Sequence, residues 1–105
     1  MSRMTKFLNQ RCYVEPYKAD AQGRAELNMF GEIQYSPGLT CRCRHEMSFQ
    51  DVQVANGSIV KSTARYFLDG KHEIKADYRI DGRAVLAVMA YVNAAGSVEG
   101  YEVYV

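Results

Sequence analysis

The chain has 105 residues, with 13 Lys and Arg against 12 Asp and Glu, and a formal net charge of +1. This length is typical of one domain with a small core. The charge balance argues against a protein whose affinity comes from neutralising many phosphates. Three cysteines, an odd number, fit a reducing compartment better than a disulfide framework. No apolar run predicts a signal peptide or a membrane span, so we expect synthesis in the cytoplasm.

The N-terminal third predicts an arm, one strand and an irregular segment. We expect residues 1–10 to form a loosely held arm ahead of a single domain over residues 11–105. Residues 11–17 alternate in polarity with the period of a strand, and Pro16 confines that strand to a sheet edge or ends it. Residues 18–38 hold the stretch AELNMF, which fits either a helical turn or an irregular excursion between strands. We find no internal repeat.

The centre and the end of the chain predict strands with one apolar face each. Over residues 39–47 one face is formed by Leu39, Cys41, Cys43, His45 and Met47. Over residues 59–68 a face is shared by Val60, Ser62, Ala64, Tyr66 and Leu68. Asn56-Gly57 lies between them and favours a hairpin turn with positive φ, and residues 71–78 are interpreted as a loop. The last strand places on one face Tyr101, Val103 and Val105.

Residues 77–92, with the sequence DYRIDGRAVLAVMAYV, combine a tight turn with an apolar run. Asp81-Gly82 is typical of a two-residue hairpin, and we expect it to set the register of that hairpin. The stretch from Ala84 to Val92 carries no charge, and we expect it to run through the centre of the core. Together these elements predict an all-β fold, a small β-barrel of about six strands with a long loop between the second and third strands.

Cys41, Cys43 and His45 are the sharpest candidates for chemistry, because alternate residues of a strand point the same way. A zinc site needs ligands that converge from a turn or from two elements, and a fourth ligand. Only Cys12 and His72 are available to join, and the C-x-C-x-H spacing matches no standard zinc motif. A Cys-His nucleophile would lack an orienting group and an oxyanion hole. We therefore favour a half-buried strand, and expect no metal, no cofactor and no enzymatic activity.

A series of weak signals follows one order along nearly the whole chain. DAQG at 20–23 is followed by Pro37 and CRCRHE at 41–46, Gly57 and IVKSTARYFL at 59–68, residues 77–92, Gly96, and GYEVYV at 100–105. In this order and spacing the chain resembles the small head-closure, or stopper, proteins of long-tailed bacteriophages, also called head–tail connector proteins. It departs from them in the doubled Cys-Arg at 41–44 and in the segment after DAQG, where no aromatic residue stands beside the turn.

The resemblance implies a structural role in the virion neck. Such proteins are small β-barrels that form a homo-oligomeric ring, usually of twelve copies, between the portal or adaptor ring and the tail or tail-terminator protein. The ring retains packaged double-stranded DNA without sequence specificity and provides the surface for tail attachment; no membrane is involved. In the family the loop between the second and third strands projects toward the channel. Here it maps onto Met47, Ser48, Phe49, Gln50, Asp51, Val52, Gln53, Val54, Ala55, Asn56, Gly57 and Ser58.

The sequence of that loop suits a channel wall, since it holds Asp51 as its one charge and no Lys or Arg. A wall that DNA must pass should not bind phosphate strongly. Phe49, Val52 and Val54 are available to pack between neighbouring loops, and an equal alternative is that DVQV forms a short extra strand. Ring contacts are expected at Arg42, Arg44, Tyr101 and Tyr104.

Three other hypotheses stay open. A tail-terminator ring is also a small β-rich neck protein. A β-barrel binding module, such as an inhibitor of a host defence enzyme, belongs to another class. A metal-dependent or thiol enzyme would need zinc or a reactive cysteine.

Overall fold

The computed structural model describes residues 8–54 and 56–105. The strands are β1 (Gln10–Glu15), β2 (Leu39–Gln53), β3 (Ile59–Asp69), β4 (Arg79–Ile80), β5 (Arg83–Ala84), β6 (Ala87–Val92) and β7 (Val98–Tyr104). They form one antiparallel sheet in the order β5-β4-β1-β2-β3-β7-β6. The described part of the chain contains no helix, hence none able to cross a membrane. The predicted all-β class is confirmed.

The predicted N-terminal arm lies mostly outside the described residues, which begin at Leu8. Leu8 is already buried, and the sheet begins at Gln10. Nothing in the described structure therefore separates residues 8–10 from the domain that follows.

The sheet is barrel-like but not closed, and it has seven strands where about six were expected. Its two edge strands, β5 and β6, do not pair with each other; they are successive parts of one chain segment. Val85 donates its N–H to Tyr78 O, 2.8 Å away, beside β4. The next residue, Leu86, donates to Tyr104 O, 2.7 Å away, in β7. The segment thus leaves one edge of the sheet and joins the other within two residues, which curls the sheet around its core.

The core lies on the concave side of this curled sheet, where alternate residues of each strand meet. β3 contributes the predicted face of Ser62, Ala64, Tyr66 and Leu68, and β7 and the chain end contribute Tyr101, Val103 and Val105. β1 and β2 add Cys12, Val14 and Cys43. The predicted alternation is confirmed for β1, for β7 and for β3 from Ser62 onward, because their period of two matches the pleat. Val60 is exposed, and of the predicted β2 face only Cys43 is buried, whereas Leu39, His45 and Met47 are exposed. Every buried side-chain polar atom of the described residues has a hydrogen-bond partner.

Asp81-Gly82 forms the predicted two-residue turn between β4 and β5, where Ile80 pairs with Arg83. Both turn residues have positive φ, 49° and 82°, as this hairpin turn requires. The Asp81 carboxylate accepts the N–H of Tyr13 in β1 at 2.9 Å and the hydroxyl of Tyr66 in β3 at 3.0 Å. The turn therefore sets the hairpin register, as predicted, and also fastens the hairpin to two other strands.

The apolar run from Ala84 to Val92 enters the core at Val85, which is 1% exposed, but the expectation that the whole run is central is wrong. Ala84 and the strand β6 lie at the two edges of the sheet, and Met89 and Val92 are exposed. Val88 alone within β6 packs partly against the core. An uncharged run indicates burial only if both faces of the strand are covered, and on β6 the core contacts only the face that carries Val88.

Residues 16–36, here called the finger, contain no helical turn and do contain an internal repeat, contrary to expectation. Asp20 and Asn28 each accept two backbone N–H groups at the side-chain oxygen, and each precedes a positive-φ glycine by three residues. Lys18 and Glu26, each two residues before one of these turns, form a closed ring of backbone hydrogen bonds of 2.7–3.0 Å with Gln34. The two turns and the ring of hydrogen bonds give the finger a regular, ordered backbone.

The base of the finger is fixed to the body by aromatic and ionic contacts. The guanidinium of Arg79 lies 4.2 Å from the ring centroid of Tyr35 and forms two hydrogen bonds with Glu15 at 2.8 and 2.9 Å. The rings of Tyr17 and Tyr78 meet edge to face at 5.1 Å. The finger therefore has a defined base on β1 and β4.

We expect Asp81→Ala to lower the free energy of unfolding by about 2–4 kcal/mol. The change removes two hydrogen bonds to a charged acceptor and places alanine at positive φ. Asp81→Asn is the control, because asparagine tolerates positive φ and keeps one acceptor oxygen, so its loss is smaller. Urea unfolding followed by circular dichroism measures both values. A loss below about 0.5 kcal/mol for Asp81→Ala would contradict the anchoring role.

We expect Val88→Lys and Met89→Lys to differ although the residues are adjacent in β6. Lysine at Val88 buries a charge against the core and costs more than about 2 kcal/mol. Lysine at the exposed Met89 changes stability by less than about 0.5 kcal/mol and protects the open edge from pairing. Thermal unfolding of the two variants tests the edge position of β6; equal losses would refute it.

Candidate functional site

The predicted channel loop is not a loop but the distal part of a β-hairpin. β2 continues to Gln53, β3 begins at Ile59, and the pair is joined by a turn in which Gly57 has positive φ. Ala55 lies outside the described residues. The alternative of an extra strand thus describes DVQV better than the loop, since Asp51 pairs with Lys61 and Val52 with Val60.

This hairpin arm, residues 47–60, is a two-stranded ribbon beyond the rest of the sheet. β1 pairs with β2 only as far as Cys43, and β7 reaches β3 only from Arg65 onward. Two backbone bonds, at Thr63 and Ala64, extend the contact to Val105. Within the described residues, the backbone of the arm therefore has no strand partner besides its own other half.

A β-bulge marks the base of the arm. The register shifts between Met47, opposite Ala64, and Gln50, opposite Ser62. Two residues, Ser48 and Phe49, therefore face a single residue of β3, which inverts the phase of β2. The Phe49 side chain is 68% exposed, and Met47 and Ile59 are also exposed. The arm offers apolar side chains and a single charged residue, Asp51, which lies opposite Lys61 in register.

The cysteines lie together on the core side of β1 and β2. Cys12 pairs in register with Cys41 and contacts the thiol of Cys43, and all three are free thiols. The contact with Cys43, together with burial, raises the pKa of Cys12, and burial raises the pKa of Cys41. The same contact lowers the pKa of Cys43. The raised pKa values of Cys12 and Cys41 disfavour the thiolate that nucleophiles and metal ligands need.

His45 does not complete a site with these thiols. Its ring stacks on the Tyr66 ring with centroids 4.7 Å apart and an interplanar angle of 15°. Within residues 8–54 and 56–105, no three His, Cys, Asp or Glu side chains converge in a way that would hold a metal ion. The Cys-x-Cys-x-His pattern is therefore accounted for by strand packing.

The outer face of the sheet carries a network centred on a buried carboxylate. The Glu102 side chain is 8% exposed and lies 3.1 Å from the Arg65 guanidinium. Its oxygens also accept the hydroxyls of Tyr104, at 2.8 Å, and Tyr91. Arg65 in turn lies 3.0 Å from Glu46 in β2. Because these residues come from four neighbouring strands, the network ties β2, β3, β7 and β6 together on the side away from the core.

The network changes the acidity of its members. Burial by itself would raise the pKa of Glu102, but the hydrogen bonds from Tyr91 and Tyr104 and the charge of Arg65 lower it below its usual range. The same bond to Glu102 raises the pKa of Tyr91 to about 12. The Glu102 carboxylate is thus held in its ionised form, and the two tyrosines that donate to it stay neutral.

The four predicted interface residues lie in different environments. Arg42 is exposed and pairs in register with Arg11, which places two like charges side by side. Arg44 lies 3.0 Å from Glu46, and Tyr104 donates to Glu102. Tyr101 is 8% exposed and belongs to the core, so its ring is not available to a partner. They form no single patch.

The sequence interpretation missed the end of the finger. Leu27, Met29 and Phe30, here called the tip, are exposed, Met29 to 91% and Phe30 to 79%. A signal was available, because an Asn-Met-Phe-Gly sequence places two large apolar residues inside a turn, where polar residues are usual. The outer network was missed too, since a Glu between two apolar residues is ordinary in a strand.

The fold and these surfaces define an all-β protein made of one curled sheet with a hairpin arm and a finger. Comparison with known proteins adds no relative: no family model matches the chain, and neither the curated proteins nor the solved structures include one that is significantly similar.

We expect Glu102→Gln to weaken the dependence of the free energy of unfolding on pH between pH 7 and pH 3. A carboxyl with a lowered folded pKa stabilises the fold above its ordinary value of 4.5, and loses that contribution as pH falls through the lowered value. The substitution should cost about 1–3 kcal/mol at pH 7 and less at pH 3. Urea unfolding at pH 7, 5, 4 and 3 measures the difference. Glu99→Gln, on the same strand but exposed, should follow the wild type at every pH; an equal effect of both changes would contradict the network.

Proposed function

We infer that the protein is a head-closure component of a long-tailed bacteriophage. It assembles as a ring in the virion neck, between the portal or adaptor ring and the tail. There it helps to retain packaged DNA and offers a surface for tail attachment, without catalysis. The observation that carries this proposal is the hairpin arm, a projecting ribbon at the position that the resemblance assigns to the channel segment.

The chemistry of the arm supports a role next to DNA that has to move. Residues 47–60 hold no Lys or Arg, and the nearest cation, Lys61, lies opposite Asp51. In a ring, each basic residue would be repeated in every copy and would hold phosphates in a strongly salt-dependent way. A near-neutral arm blocks the channel by volume and apolar contact, and releases DNA without a large electrostatic cost.

The remaining surface supports assembly into a ring. The single chain exposes apolar side chains on the arm, on the β6 edge and on the finger tip. Exposed apolar patches and open strand edges are liabilities in a monomer and are used up in an assembly. The network around Glu102 ties four strands together on the side of the sheet away from the core. Such bracing suits a subunit that has to keep its shape under the pressure of packaged DNA.

The experiment is disruption of this gene in the phage that carries it, with electron microscopy of the particles. We expect filled heads that lose their DNA and carry no tails, and density for this chain between portal and tail in wild-type necks. A location in the capsid shell, or absence from the virion, would overturn the proposal. Overlong tails on heads that keep their DNA would identify a tail-terminator ring instead.

Complementation with a shortened arm tests the arm separately. Replacing residues 51–61 with Asn-Gly joins Gln50 to Ser62, which are already paired, through a favoured two-residue turn. We expect the ring to form and the heads to leak DNA. Asp51→Asn, which keeps the arm at full length, is the matched control and should restore stable heads.

A further inference from the structure

Two surfaces of the chain are available for a contact between copies. One is the finger tip, which carries exposed apolar side chains, and the other is a pocket on the body. The tip is a rigid turn: the side-chain oxygen of Asn28 accepts the N–H groups of Phe30 and Glu32 at 2.8 and 3.0 Å, and Gly31 donates to Asn28 O at 3.0 Å. Since Met29 and Phe30 are exposed, neither fills a site on its own chain. A preordered turn loses little freedom on binding.

The pocket lies where the loop after β3 packs against β1 and the start of β2. It has a volume of about 210 Å³, and its wall includes Val14, Pro16, Leu39, Ile74 and Tyr78. A cavity of about 150 Å³ accommodates a benzene ring, so this one has room for a phenylalanine or methionine side chain. Its one carboxylate, Glu73, pairs with Lys75 at 3.1 Å.

The charges around the two surfaces are complementary. Glu26 and Glu32 flank the tip and are exposed, and Arg24, which lines the same depression as Glu26 and Leu27, is paired with Asp20 at 3.7 Å. A second depression shares Cys41 and His72 with the pocket, and its rim holds Arg42 and Lys71 against the single acid Asp69. Arg11 lies beside Arg42 in register. An apolar tip flanked by acids is therefore complementary in charge to a pocket with a basic rim.

We propose that the tip of one copy of this chain inserts into the Val14–Tyr78 pocket of a second copy. Because the tip and the pocket are different surfaces, the contact is head-to-tail. Each copy inserts its tip into one neighbour and accepts the tip of another neighbour in its pocket, as a ring or a filament requires. This deepens the ring of the proposed function by naming its subunit contact, but it concerns the purified chain by itself. The contact area is small, so association of free chains is weak and needs high concentration.

Photo-crosslinking tests the contact directly. A benzophenone amino acid replaces Phe30 in the full chain, and equal amounts of ¹⁵N-labelled and unlabelled protein are irradiated at high concentration. We expect crosslinks between labelled and unlabelled chains that map to residues 14–16 and 72–78. The same probe at Glu99, which is exposed and lies outside the tip, the pocket and the arm, is the control. No crosslink between chains above that control, or crosslinks at other sites, would overturn the proposal.

A mixing experiment tests the head-to-tail geometry. The variant Met29→Ser/Phe30→Ser loses the tip, and Leu39→Glu places an acid on the half-exposed pocket wall. Sedimentation velocity should show at least ten-fold weaker self-association for each variant alone. A mixture of the two should form a one-to-one dimer, since one intact tip and one intact pocket remain. Equal association of variants and wild type, or no dimer in the mixture, would contradict the contact.

The two proposals fail separately. If the chain is absent from virion necks but the crosslinks form, the proposed function is wrong and the contact stands. If the chain lies in the neck but the crosslinks and the mixed dimer are missing, the contact is wrong and the function stands.

Discussion

The Asp81 carboxylate is the point at which the sheet is held together across its width. It lies in the turn between β4 and β5, and binds Tyr13 in β1 and Tyr66 in β3. The strand that leaves this turn soon changes partner and reaches the opposite edge of the sheet at Val85 and Leu86. The fixed turn places the start of the crossing segment, which is also held by its backbone bonds to Tyr78 and by the Val85 side chain in the core. The curvature of the sheet, and with it the core, follows from this fixed turn.

The curled sheet buries one side well and leaves the periphery unusually apolar. The arm, the β6 edge and the finger tip each expose large apolar side chains. A small domain cannot bury everything, but it usually covers open strand edges with charge or chain. Charged side chains form an ordered network around Glu102 and line the rim beside Arg42. One face of the sheet is polar and hydrogen-bonded, whereas the arm, the β6 edge and the finger tip are apolar and exposed. This difference supports the hypothesis that the chain is a subunit of a larger assembly, in which the finger tip and the pocket form the proposed contact.

Sequence patterns correctly predicted the strands that have one buried and one exposed face. They failed for segments whose burial depends on residues distant in the chain. The alternation in β3 and β7 identified buried residues correctly, because a core on one side imposes a period of two. The run in β6 looked more buried than any other segment, yet it lies at an edge; hydrophobicity along a strand does not tell whether a neighbour pairs beside it. The arm looked like a loop because Ser48, Gln50 and Gln53 dilute its pattern and the bulge at Met47 inverts its phase. The tip was overlooked since exposure of Met29 and Phe30 depends on the finger folding away from the body.

The sequence by itself determined the all-β class, the alternating core faces and the Asp81-Gly82 and Asn56-Gly57 turns, because each depends on residues close together in the chain. The tertiary structure alone decided the strand order, the edge position of β6, the anchoring of Asp81 by Tyr13 and Tyr66, and the placement of the Glu102 network. Those features bring together residues up to 68 positions apart, as Tyr13 and Asp81 are. Local preferences carry no information about such pairs, since they form only when the whole sheet has curled around one core.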